Sequence, residues 1–232
     1  MCDTKIIKND TDLSEAFAEI GKKHNYDSVT ATFCEFKEFK VKWKRSCGWI
    51  KFEISDYVKD APKEVLTGLA TTVFTRLSGK CDRNYPKEML NWITSDEFVK
   101  SRQPVYLMRS RNMIKSTEGK HKNLTNSYQR LIDLGLIKKD NNLFLTWTQT
   151  PNIKRIGYCS VLMKTIVISS VFDSDIIPDY VLDYVLYHEM IHLNKGFDPF
   201  GKRHGIDFRV LEYLHPQHEE AEQYLRKLRM FM

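Results

Sequence analysis

The sequence predicts an α+β fold, and three observations carry that expectation. Between residues 28 and 58 apolar residues alternate with polar ones, the period of half-buried strands. Around residues 62–77 and 178–193 they recur with the period of a helix. The second helical stretch contains His188-Glu189-Met190-Ile191-His192, an H-E-x-x-H pentapeptide that needs a helix to bring its two histidines together.

Residues 11–24 place Leu13, Phe17 and Ile20 on one helical face, with Asp12 or Ser14 as a capping residue. The run from Val29 to Arg45, the Ser46-Cys47-Gly48 turn and Trp49–Ser55 read as an antiparallel hairpin or meander with one buried face. Pro62 opens a helix that Gly79 closes, and residues 86–100 suggest one or two more. Residues 114–123 combine turn residues with no periodicity, which predicts a mobile surface loop or linker. Leu124–Gly135 reads as a helix, and residues 136–148 as two short strands around Asp140-Asn141-Asn142. Residues 157–160 and 165–170 are further strand candidates; Pro178 then opens a helix of about 17 residues. Two more helices finish the chain. The expected division is an N-terminal α+β region, 1–120 (strand meander 28–58, helices 62–100, basic loop 100–123), and a second domain, 121–232.

Composition limits the function classes. A chain of 232 residues forms one sizeable domain or two small ones and needs no disulfide or metal staple merely to fold. No apolar stretch is long enough to span a bilayer, and the first dozen residues lack the apolar core of a signal peptide, so no membrane partner is expected. The five cysteines are scattered without a C-x-x-C pair and read as reduced thiols of a cytoplasmic protein. The net charge of +6 is concentrated. Residues 100–130 carry eight Lys or Arg against Glu118 alone, and the remainder of the chain sums to −1. A solvated loop, a surface contacting nucleic-acid phosphates and a loop covering the active site are competing readings of that segment.

The chemistry concentrates in the pentapeptide. Four residues at about 100° each return to nearly the same helical face, one turn along. His188 and His192 can therefore reach one metal ion, with Glu189 beside them to take the proton of an attacking water. Val181 and Val185 continue the same stripe upstream, so the imidazoles emerge where a packed face meets a cleft. A catalytic zinc usually takes a third protein ligand. His204, Asp198, Asp207, Glu212, His215 and His218 are the candidates, with His204 and Glu212 evenly placed by spacing.

H-E-M-I-H followed by His204-Gly205-Ile206-Asp207-Phe208 resembles the SprT-like zinc metallopeptidases. LTW (145–147), IGYC (156–159), TIVIS (165–169), PDYVLDYVLYHEMIHL (178–193) and LHPQHEEAEQYLRKL (214–228) run in the order seen in small, minigluzincin-like zincins and in predicted archaeal and bacterial hydrolases related to SprT. The likeness covers about residues 120–232. It implies a zincin-like unit with a small twisted sheet, a Zn2+ cofactor, and His204, from an H-G-x-x-F segment, as the third ligand with His188 and His192. It implies peptide-bond hydrolysis with Glu189 as general base, and a peptide or protein substrate paired along the edge strand just upstream, here TIVIS. Asp183 and Asp207 are candidates to orient a histidine, against the plainer reading of solvated charges; Tyr187, Tyr213 and His215 read as packing or surface residues. Two other functions compete: a nucleic-acid-associated SprT-like protein with little peptidase activity, using the basic segment 100–130, and a metal-dependent hydrolase of a non-peptide amide.

Overall fold

Helix α1 (Lys8–Lys23) turns Leu13, Ala16, Phe17 and Ile20 inward in the computed structural model, which describes residues 8–79, 85–197 and 204–230. Strands β1 (Ser28–Cys34), β2 (Val41–Ser46) and β3 (Trp49–Ser55) follow, then helices α2 (Lys63–Leu77) and α3 (Lys87–Ile93). The sheet order is β1-β3-β2. The expected β2–β3 hairpin forms, but β1 runs parallel to β3, so the segment is not an antiparallel meander. The reason lies in side-chain content. Ile50, Phe52 and Ile54 make β3 the most apolar strand, and the centre of a sheet buries them best. Exposed β2, with Lys42, Lys44 and Arg45, suits an edge. Phe17, Phe52 and Phe74 pack as a tilted cluster, with ring centroids 4.9 Å (Phe17–Phe52) and 5.2 Å (Phe52–Phe74) apart. Pro62 caps α2, and Gly79 adopts φ +73°, the left-handed conformation that ends a helix readily only with glycine.

The chain divides into two units, residues 1–98 and 99–232, rather than near residue 120. Helix α4 (Asp96–Arg109) runs past the expected end at Lys100 and accommodates Pro104 within it. The stretch after it is not a mobile loop. Ile114 N–H donates to Trp147 O (3.0 Å), Lys115 N–H to Thr146 Oγ1 (2.9 Å) and Trp147 Nε1 to Thr117 O (2.9 Å). Three successive backbone N–H groups, of Lys120, His121 and Lys122, converge on the Asp173 carboxylate at 2.7–2.9 Å. The second unit therefore begins well before residue 120.

That unit continues with α5 (Leu124–Asp133), β4 (Phe144–Trp147), β5 (Gly157–Ser160), β6 (Thr165–Ile168), α6 (Asp179–Lys195), α7 (Ile206–Glu212) and α8 (His218–Met230). Residues 136–139 do not form the strand expected ahead of β4. Asp140 takes a hydrogen bond from Asn142 N and gives its own N–H to Tyr128 Oη, which turns the chain directly into β4. The sheet order is β4-β6-β5, with β4 parallel and β5 antiparallel to β6. TIVIS, expected at an edge, holds the central strand; all four residues of β6 are buried, and an edge position would waste that burial. Helix α6 crosses the sheet and packs against α5, α7 and α8. Its Val181, Leu182, Val185, Leu186, Met190 and Ile191 join Trp147, Ile166, Ile168 and Phe172 in one core. The α+β class is thus present in both units. No helix among the described residues is long and apolar enough to cross a membrane.

Candidate metal centre

Helix α6 carries its apolar stripe through Val181 and Val185 and ends it in two half-buried histidines, as the pattern predicts. His188 and His192 lie one turn apart with ring centroids 5.1 Å from each other. After α6, Gly196 takes φ +74° and lets the chain leave the helix abruptly. It returns at His204, immediately before α7, and the His204 ring comes within 5.1 Å of His188 and 5.0 Å of His192. One nitrogen from each of the three rings lies within 4.8 Å of the others. His192 Nε2 and His204 Nε2 are 3.2 Å apart. Two nitrogens each about 2.05 Å from a tetrahedral zinc would be about 3.3 Å apart, so this donor set fits the ion.

The floor of the cluster is Phe208, fully buried, with its ring 4.5–5.0 Å from all three imidazoles. His204 stands just before α7 and Phe208 in its first turn, which brings both side chains to the two histidines of α6. Glu212, one turn further, accepts a hydrogen bond from His188 Nδ1 at 2.7 Å. That contact puts the proton on Nδ1 and leaves Nε2 to face the cluster. The even choice between His204 and Glu212 is thereby separated: His204 joins the nitrogens, and Glu212 holds one of the rings from behind. Burial pushes the Glu212 carboxyl up, but the His188 imidazole, with His204 and His218 beyond it, brings it below its ordinary value. Tyr184 Oη donates to Glu222 Oε1 at 2.9 Å and lies 3.4 Å from Glu212 Oε1. Burial and the two carboxylates push its phenol far up, so it stays protonated.

Glu189 points the other way, toward β5. It is buried, and a Cβ on Gly157 would lie 2.8 Å from its Oε1. Only glycine leaves this space for the carboxylate. Burial raises Glu189 to about 7, with His188 and Arg155 pulling against that rise. A carboxyl group poised near neutrality can both take and return a proton. Cys159 stands on the same strand. Burial, then the neighbouring Glu189 charge, drives its thiol far up, so it remains a protonated apolar filler.

Cluster and strand line a cleft of about 620 Å³ that Arg155, Tyr158, Lys195 and Asp207 also border. Strand β5 is both the wall of this cleft and an edge of its sheet. The other expected residues fall elsewhere. Asp183 is bound by Arg130, at 2.7 and 2.8 Å, and orients no histidine. Tyr187 Oη donates to Leu211 O at 2.8 Å, Tyr213 is exposed, and His215 is buried against Tyr184 and Tyr187. Asp198 lies outside the described residues. Sequence reasoning missed Gly157, Phe208's place under the rings, and Tyr184, which its position four residues before His188 could have flagged. In the basic segment, Lys122 Nζ turns inward to Asp179 and Ile177 O, and Arg130 to Asp183. The segment is therefore not one continuous cationic stripe. No family model, curated protein or solved structure matches this chain.

Proposed function

We propose that this protein is a zinc-dependent metallopeptidase, a SprT-like, zincin-type enzyme whose ion is held by His188, His192 and His204. The observation that carries the reading is the convergence of three imidazole nitrogens beside a buried carboxyl group on an open cleft. When bound, zinc supplies Lewis acidity to a water and to the carbonyl under attack. The chain's own residues do the rest. Glu212 fixes the His188 tautomer and ring plane. Phe208 excludes water from beneath the rings. Glu189 receives the proton of the attacking water and hands it to the leaving amine. The substrate is a peptide lying extended along β5, the edge strand on the cleft, where main-chain hydrogen bonds make little demand on sequence.

Glu189→Gln keeps the shape of the side chain and removes the base. Hydrolysis of an unfolded protein substrate such as casein is expected to fall on the order of 10²–10⁴-fold while bound zinc is retained. Full activity in that variant would contradict the assignment.

A further inference from the structure

The first unit has a solvent-facing sheet surface that the metal site does not use. Residues paired in register share a face, so Ile50, Phe52 and Ile54 look inward while Trp49, Lys51 and Glu53 look out. Beside them on the outer face stand Ser46, Lys44 and Lys42 of β2, and Ser28, Thr30 and Thr32 of β1. All except half-buried Glu53 are exposed. Lys44 lies directly opposite Lys51, a like-charged cross-strand pair that costs stability. None of the three lysines makes an ion pair among the described residues; Lys42 stands opposite Glu53, the single acid on this face, and lies over the Phe36 ring at 4.8 Å, while Lys44 and Lys51 face each other. Trp49 offers an indole 44% exposed at the end of the lysine row. At the β2 edge, Trp43 is 49% exposed beside an open depression of about 520 Å³ lined by Val41, Lys42, Lys44, Lys51 and Glu53.

A sheet core gains nothing from this arrangement, and a solvated face needs no exposed tryptophan beside two lysines set against each other. We propose that the outer face of β1-β3-β2 binds single-stranded nucleic acid, with phosphates on Lys42, Lys44 and Lys51 and a base stacked on Trp49. Cations at strand spacing match a phosphate chain, and an indole accepts any unstacked base without reading sequence. The short side chains of Ser28, Thr30 and Thr32 leave the neighbouring strand low and open. The face is about 23 Å along the strands and about 10 Å across three of them. Trp49 can stack only on a base that is free of a duplex stack, so a single strand of several nucleotides fits the face better than a duplex. This inference does not rest on the metal site.

Fluorescence anisotropy of a labelled oligothymidylate of about a dozen residues tests it on the full chain. Affinity is expected to fall with salt at a log–log slope near −2, from about 0.7 per neutralised phosphate. Lys44→Glu with Lys51→Glu should weaken binding more than about tenfold and flatten the slope. Trp49→Ala should weaken it about tenfold at unchanged slope, and Trp49→Phe should stay within about threefold of the parent. All these residues are exposed, so folding is preserved. Unchanged binding in Trp49→Ala, polyglutamate competing as well as the oligonucleotide, or loss of binding only in Arg109→Glu/Arg111→Glu/Lys115→Glu would each overturn the proposal.

Discussion

Glu189 and Glu212 are two carboxyl groups on either side of one histidine, and their surroundings give them opposite characters. Glu189 is raised by burial; Glu212 is lowered by the imidazole it holds. The raised group has a consequence for stability without metal. Between the ordinary value near 4.5 and about 7 the folded state holds a proton that the unfolded state releases, so stability present below pH 4.5 is lost as pH rises through 7. The difference is on the order of 3 kcal/mol, and urea titrations of metal-free protein at pH 5 and pH 7.5 should show it. Glu189→Gln should remove that part of the pH dependence. Glu212→Ala is expected to weaken zinc about 10–100-fold, measured by chelator competition, because His188 loses the acceptor that fixes its ring. The H-E-x-x-H pair was legible in the sequence because four residues on a helix make a local geometry. Spacing alone did not choose between His204 and Glu212; the H-G-x-x-F likeness pointed to His204. His204 precedes α7 and Glu212 ends it, and spacing does not say which of the two faces the α6 histidines.

Most helices and strands were legible as elements; their neighbours were not. Strand β6 reads as apolar in sequence, but sequence does not say that it takes the centre and gives β5 the edge and the cleft. The parallel β1–β3 pairing escaped for the same reason: strand period says which face is buried, and nothing of order. The segment after α4 was misread because its order comes from non-local acceptors. Asp173, about fifty residues away, gathers the N–H groups of Lys120, His121 and Lys122. Burial pushes the Asp173 carboxyl up, but those three donors bring it below its ordinary value, so this contribution holds above about pH 4 and is lost on further acidification. Gly119 packs so close to the same carboxylate that a methyl group would collide with it. Gly119→Ala and Asp173→Ala should therefore each cost about 1 kcal/mol and speed amide exchange at residues 119–122, read by hydrogen–deuterium exchange.

At the scale of the whole chain, the uneven charge divides differently from the way composition suggests. Part of the cationic excess of residues 100–130 is spent internally, through Lys122 on Asp179 and Arg130 on Asp183. Lys42, Lys44 and Lys51 of the β1-β3-β2 face lie outside that segment, and they stand together in register. Every group of the candidate metal centre, by contrast, comes from residues 155–212 of the second unit. The His188, His192 and His204 cluster could hold one metal ion, proposed above to be zinc. Metal analysis of the purified protein beside His188→Ala, His192→Ala and His204→Ala tests it most directly. About one zinc per chain is expected in the parent, with near-complete loss in all three variants. A full complement of zinc in His204→Ala, or none in the parent after exposure to zinc, would contradict it.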